Sequence, residues 1–273
     1  MSSARTAMRE AAAALAATSG TPRLDAELLM AEALGCDREA LLLRRLDDPV
    51  PEAFGALLAR RAAGEPIAYI TGRRDFWTIA LEVGPGVLIP RPDSETLIEA
   101  ALGHFGAAGP ARILDLGTGP GTLLLASLSE WPRARGLGVD ASAEALAYAR
   151  ANAERLGLGP RAEFRLGDWM AGIAGPFDLI LCNPPYIEAG ALLPRDVAEH
   201  EPAGALRAGA DGLDAYRRIV PGIGSLLARG GMAAFEIGVG QAAAVTALLV
   251  AEGLAVSVRP DLTGRARCLI VQG

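Results

Sequence analysis

The sequence predicts an α/β protein: an open parallel sheet covered by helices on both faces, preceded by a small helical bundle and a β-hairpin linker. Three observations carry that prediction. From Arg91 onward, short apolar runs alternate with segments of helical period as far as the C-terminus. Within that part, a strand-like run, a glycine-rich turn and a helix-like run follow one another over residues 111–128, the first half of a nucleotide-type βαβ unit. Residues 1–75, in contrast, carry helical periodicity and no clear strand.

The elements follow in order. In the first part, Leu24, Leu28, Ala31 and Leu34 fit one buried helical stripe, and Leu41, Leu42 and Leu46 fit another. Pro51 and Gly64-Glu65-Pro66 mark turns. A bundle of this size has a marginal core by itself. The alanine-rich stretch 11–17 superficially suggests a leader, but Leu15 is its only strong hydrophobe and Glu10 stands at its threshold. It reads instead as a surface helix. Residues 76–90 form the linker: 76–83 partly alternate, and Pro85-Gly86 leads into Val87-Leu88-Ile89, which reads as a hairpin. From 91 to 273 the strands are expected at 112–116, 136–140, 162–166, 177–182, 231–237, 255–259 and 266–271. Helices are expected at 94–105, 120–131, 143–156, 214–228 and 240–252.

Composition excludes several classes. At 273 residues, 51% hydrophobic and 21% charged, the chain is globular rather than disordered. Its net charge of −6 opposes general nucleic-acid binding, whose footprint is basic, so no direct nucleic-acid contact is expected. All 26 basic residues are arginine, which removes Schiff-base and P-loop lysine chemistry. Cys36, Cys182 and Cys268 show no metal spacing, and His104 and His200 alone leave little for a zinc site or a histidine triad; no metal is expected. No run of about 18 apolar residues occurs, so no membrane span is expected and the location expected is cytoplasmic.

Two motifs carry chemistry. Asn183-Pro184-Pro185-Tyr186 follows the apolar run 177–182, so two prolines end a buried strand and stiffen the chain just beyond its carboxyl end. Ligands bind there in open α/β sheets. Asn183 brings an amide donor and acceptor, and Tyr186 a flat ring, a pairing suited to a planar nitrogen group. The second motif is Gly117-Thr118-Gly119-Pro120-Gly121 between the strand 112–116 and its helix. Its glycines allow a tight turn and close approach of a ligand to helix-start N–H groups. A second strand ends in Asp140, 21 residues after Gly119, where an acid serves ribose hydroxyls or else caps the helix at 143–156.

The glycine spacing departs from the dinucleotide pattern, and Asp115 stands just before it. Asp115 to Gly121 resembles the first motif of class I S-adenosylmethionine-dependent methyltransferases, a Rossmann-like fold. Asn183-Pro184-Pro185-Tyr186 resembles the substrate motif of those acting on planar amide or amino nitrogens. Further stretches resemble the peptide-chain release factor glutamine N5-methyltransferases (the PrmC/HemK family): 64–72, 88–95, Glu201-Pro202 and Asp211-Gly212-Leu213. One departure is Ser94 where that family usually has threonine; the hydroxyl is kept.

The resemblance implies a seven-stranded sheet with one antiparallel strand near its C-terminal end. It implies S-adenosylmethionine as cofactor and S-adenosylhomocysteine as product. Gly117, Thr118, Gly119, Pro120 and Gly121 would hold the methionine moiety and ribose, and Asp140 the ribose hydroxyls. Asp168 would meet the adenine amine and Trp169 its face, unless Trp169 is a packing residue under a loop, and Asn183 would also border the cofactor. The implied substrate is the glutamine of the Gly-Gly-Gln loop in class 1 peptide chain release factors, with the helical region docking that partner. Asn183 and the Pro184 carbonyl would each accept one N–H of the target amide, with Pro185 stiffening the turn and Tyr186 packing on the amide plane. Arg91 and Glu95 either order the cofactor or staple the hairpin. Rival readings are a methyltransferase for a ribosomal-protein glutamine, one for a nucleic-acid base amine, and a non-catalytic cofactor-binding module.

Overall fold

A computed structural model describes residues 3–273. In chain order the helices and strands are α1 (Ala4–Leu15), α2 (Pro22–Leu34), α3 (Arg38–Arg44), α4 (Ala53–Ala62), α5 (Ile67–Thr71), β1 (Arg73–Phe76), β2 (Ile79–Glu82) and α6 (Glu95–Phe105). There follow β3 (Arg112–Leu116), α7 (Thr122–Glu130), β4 (Arg135–Asp140), α8 (Ala143–Arg155), β5 (Ala162–Leu166), β6 (Phe177–Cys182), α9 (Arg195–His200) and α10 (Ala203–Leu206). The chain closes with α11 (Asp214–Leu226), β7 (Leu227–Glu236), α12 (Ala242–Ala251), β8 (Val256–Pro260) and β9 (Ala266–Gln272).

The chain divides into two compact units. One runs to Arg73 and takes in Leu193–His200; the other holds Arg74–Leu192 and Glu201–Gly273. The inclusion of α9 in the helical unit departs from a simple split near residue 75.

In the helical unit, α1 buries Ala4, Met8, Ala11 and Leu15, spaced to share one face, and the Ser3 hydroxyl caps its start by accepting from Thr6 N. The α2 stripe differs from expectation. Leu24 is exposed, while Ala26, Leu29, Met30 and Ala31 are buried together with two acids, Asp25 and Glu27. The acids tolerate burial because each is paired: Asp25 with Arg61 at 2.6 Å, Glu27 with Arg38 at 2.7 Å and Arg23 at 2.9 Å.

The hairpin is also displaced. Its strands are β1 and β2, and the turn falls at Trp77-Thr78, with Trp77 in the left-handed region (φ 55°). Glu95 Oε1 accepts from Trp77 N at 2.8 Å, so Glu95 staples this hairpin. Residues 87–89 form no strand.

The larger unit is a seven-stranded sheet in the order β5-β4-β3-β6-β7-β9-β8, with β9 antiparallel to both neighbours. The expected strands are all present. β3 and β6 lie in the middle and are buried on both faces, which is why they read as near-continuous apolar runs. The core between sheet and α11 is built from Leu114, Ile180, Phe235, Ile219 and Tyr216. Among the described residues, no helix is long and apolar enough to cross a membrane.

Candidate active site

Strand register brings the two motifs together. Leu116 pairs with Cys182, and Cys182 with Phe235, along three parallel strands. The residues that follow, Gly117, Asn183 and Glu236, therefore emerge at one end of the sheet. β3 has β4 and β5 on one side and β6 on the other, so this end is also the topological switch point, where a crevice opens.

The turn after β3 is anchored on β4. Gly117 N and Thr118 N both donate to Val139 O, at 2.9 and 3.0 Å, and Gly119 N donates to Asp140 Oδ2 at 2.8 Å. Gly117, Gly119 and Gly121 all take left-handed φ angles. Gly121 is also closely packed: a Cβ there would lie 2.7 Å from Leu125 Cδ1, so that side chain would have to move. A Cβ on Gly117 would lie 3.4 Å from the Trp169 ring and 3.9 Å from the Asn183 carbonyl oxygen, so three separate segments converge at this glycine. Asp140 joins them: its other oxygen, Oδ1, accepts from Ser142 N at 2.8 Å, while Ser142 itself caps α8.

Asp115 is the least comfortable group in the site. It is 1% exposed; its Oδ2 accepts from the Thr118 hydroxyl at 2.7 Å and from Leu124 N at 3.2 Å. Its Oδ1 has no hydrogen-bond partner among the described residues. Burial pushes its carboxyl up to about 7 against the relief of those two bonds.

The rigid turn after β6 is tied from behind. Asn183 Nδ2 donates to Ser94 Oγ at 3.0 Å, Ser94 Oγ donates to Glu236 Oε2 at 2.5 Å, and the Tyr186 hydroxyl donates to Glu236 Oε1 at 3.1 Å. Glu236 is wholly buried, and burial raises its carboxyl to about 7 despite both donors. Burial likewise raises the Tyr186 phenol, with Glu236 beside it. The Tyr216 hydroxyl, from α11, holds the Glu236 carbonyl at 2.6 Å.

A cavity of about 560 Å³ lies at this end of the sheet, within the usual range for small-molecule sites. Of the residues singled out from sequence, Gly117, Thr118, Gly119, Pro120, Asp140, Asp168, Trp169, Asn183 and Pro185 line it. Gly121, Pro184 and Tyr186 are not in its lining. Gly121 is the N-cap of α7, and the Tyr186 hydroxyl is held on Glu236, which fixes the far end of its ring. Asp168 is paired with Arg218 of α11 across the cavity wall. One wall is the segment 86–91, fastened by the buried Glu201 carboxylate, which takes Ile89 N at 3.1 Å and the Arg91 guanidinium at 2.5 Å. Arg91 thus clamps a cavity wall. His200 lies in the helical unit and lines no part of the cavity.

Asp115, Ser94, Glu236 and Arg218 carry structure here that sequence reasoning assigned to no role. For two of them a signal existed: Asp115 and Glu236 are single acids inside otherwise apolar strand runs.

Comparison with known proteins decides the family. Residues 6–72 match the PrmC N-terminal domain, and residues 94–200 the methyltransferase small domain. The release factor glutamine methyltransferase of Rhodospirillum rubrum is 48% identical over 92% of this chain and 79% of its own. The one from Moorella thermoacetica is 42% identical over 97% of both chains. The chain belongs to the release factor glutamine methyltransferase family. Among solved structures, the ribosomal protein L11 methylase of Lactobacillus delbrueckii subsp. bulgaricus shares the fold, with a TM-score of 0.52 at 21% identity over 70% of this chain and 84% of its own. The hMettl16 catalytic domain does so at 0.57 and 18%, over 79% and 81%.

Members of this family are enzymes that use S-adenosylmethionine, and the residues present fit it. The cofactor carries an ammonium and a sulfonium, and Asp115 is among the lining residues, with one buried carboxylate oxygen that has no donor among the described residues. The glycine turn offers close backbone approach. Asp140, Asp168 and Trp169 offer two carboxylates and an indole for hydroxyls, an amine and a flat base.

Proposed function

We propose that this chain transfers a methyl group from S-adenosylmethionine to the side-chain amide nitrogen, N5, of the glutamine in the Gly-Gly-Gln loop of class 1 peptide chain release factors. The observation that carries the reading is the amide of Asn183 at the switch point, set on a proline-stiffened turn with its Nδ2 already engaged by Ser94. That leaves Oδ1 as the acceptor for a substrate N–H. The names of relatives sharing 42–48% identity support the substrate.

An amide nitrogen is a poor nucleophile because its lone pair is delocalised into the carbonyl. When bound, the cofactor supplies an activated methyl on a sulfonium. The protein supplies geometry and electrostatics. Asn183 Oδ1 and the Pro184 carbonyl each accept one N–H of the target amide, which orients its nitrogen into the cavity and favours pyramidal geometry. Pro185 stiffens the turn, and Tyr186 anchors it to Glu236. The turn after β3 holds the amino-acid end of the cofactor, Asp140 its ribose hydroxyls, and Asp168 with Trp169 its adenine. The nitrogen sheds its proton to water after transfer, because an N-protonated amide is a strong acid. No titrating base is needed before attack. The helical unit docks the release factor; its match to the PrmC N-terminal domain supports this.

The test is transfer of labelled methyl from S-adenosylmethionine to purified release factor, with the loop glutamine intact or changed to alanine. Label that depends on that glutamine is expected. Label absent there, and found instead on ribosomal protein or nucleic acid, overturns the substrate.

A further inference from the structure

A side-chain amide can face a substrate with either end. Rotating the Asn183 amide by half a turn exchanges its oxygen for its nitrogen with almost no change in shape. Only the oxygen can accept a substrate N–H, so something must choose the end. The choice is made by the direction of the hydrogen bonds behind Asn183. An ionised carboxylate accepts only. The Ser94 hydroxyl has one proton, and it is committed to Glu236 Oε2 at 2.5 Å. Toward Asn183, Ser94 then has lone pairs alone, and the group that fits them is the NH2, at 3.0 Å. Tyr186 occupies the second oxygen of Glu236 at 3.1 Å, so the carboxylate is held from both sides. Ser94 and Glu236 are 2% and 0% exposed, so water does not compete for these bonds.

We propose that Ser94 and Glu236 are positioning residues that orient the Asn183 amide, turning its oxygen toward the substrate and its nitrogen away. The inference rests on the amide-methylation reading above. Glu236 lies outside the cavity lining; Ser94 is in it, with its hydroxyl committed to Glu236 and to Asn183, and each acts through Asn183.

The test uses Ser94→Ala, Ser94→Thr and Glu236→Gln in the full chain, assayed at about pH 8.5 so that Glu236 is ionised. Ser94→Ala removes the acceptor, and kcat should fall about 10- to 100-fold, while S-adenosylhomocysteine affinity stays within about twofold. Ser94→Thr keeps the hydroxyl and should restore kcat to within a few-fold. Glu236→Gln keeps the shape but can offer Ser94 a donor, so it should lose kcat as Ser94→Ala does. Unchanged kcat in both Ser94→Ala and Glu236→Gln overturns the proposal, as does a loss confined to cofactor affinity.

A second readout is independent of turnover. Asn152 and Asn183 are the only asparagines in the chain, so labelling asparagine nitrogen gives two side-chain NH2 signals. Asn152 is an internal reference, buried with its Nδ2 bonded to Glu82 O and Pro120 O at 3.0 Å each. In Ser94→Ala, hydrogen exchange of the Asn183 NH2 should quicken about tenfold while Asn152 stays unchanged, which also shows that the variant is folded. An Asn183 signal indifferent to Ser94→Ala overturns the orientation even if the enzyme methylates as proposed. Wild-type protein that leaves the glutamine unlabelled overturns the substrate reading instead, and the nitrogen signals still judge the orientation.

Discussion

Asp115→Asn should make the protein more stable and a weaker binder of its cofactor. Burial raises the Asp115 carboxyl from 3.8 to about 7. An acid whose folded titration lies above its unfolded one keeps its proton in the folded state across that window. Stability from this group is therefore full below about pH 4 and falls as pH rises toward 7. Above 7 the whole cost is present, about 4 kcal/mol for that difference. Asparagine removes the charge, keeps an oxygen for Thr118 and Leu124, and places an NH2 where Oδ1 had no partner. That new unsatisfied donor costs about 1–3 kcal/mol, so the net gain at pH 8.5 is about 2 kcal/mol. For a chain of this length that is a rise of roughly 3–4 °C in Tm. At pH 5 the wild-type acid is largely protonated in the fold, its cost drops to about 1–2 kcal/mol, and the advantage of the variant should vanish. Glu236 titrates in the same window in both proteins and cancels from the difference. Thermal unfolding of wild type and Asp115→Asn at the two pH values measures this directly. Calorimetry with S-adenosylhomocysteine should show affinity about tenfold weaker, since a charge-assisted bond to its ammonium is lost. The reasoning is refuted by a Tm gain that is the same at both pH values, or by a variant that is less stable at pH 8.5.

Two further outcomes follow from the same geometry. Gly138→Ala places a Cβ 2.8 Å from Thr118 Oγ1 and 2.9 Å from Phe164, so it should cost about 1–3 kcal/mol in denaturant unfolding. It should also loosen S-adenosylhomocysteine by displacing Thr118 from Asp115, although Gly138 itself lies outside the cavity lining; unaltered affinity would count against the Thr118–Asp115 link. Asn183→Ala should lower kcat at least about 100-fold and leave S-adenosylhomocysteine affinity within about twofold. Retained methylation by that variant would remove Asn183 from the mechanism.

Sequence alone reached the sheet because its central strands are buried on both faces, and such strands announce themselves as unbroken apolar runs. It reached the glycine turn and the Asn-Pro-Pro-Tyr turn because glycine and proline act on the backbone directly, wherever the rest of the chain lies. What it missed depends on partners far along the chain. The α2 stripe was misplaced because Asp25 and Glu27 look like surface residues until Arg61 and Arg38 are brought to them. The hairpin was misplaced because Pro85-Gly86 is a strong turn signal, whereas the turn at Trp77, with φ 55° and its N–H on the distant Glu95, has no local signal. Ser94 and Asn183 are 89 residues apart, and nothing local to either marks the bond between them.

The two raised acids differ in a way that separates cofactor binding from substrate alignment. Asp115 has one oxygen without a donor and lines the cavity, so a cationic ligand can recover part of what its burial costs. Glu236 has both oxygens occupied by hydroxyls, and a ligand has nothing to add to it. Well-packed apolar residues at either position would make a more stable strand. The Asp115 charge is one whose cost a cationic ligand in the cavity would lower. Glu236 supplies a fixed direction to the hydrogen bonds behind Asn183, and that direction is present before any ligand arrives. On the roles proposed above, the methyl donor meets a site whose electrostatics it completes, whereas the substrate amide meets an acceptor already turned to receive it.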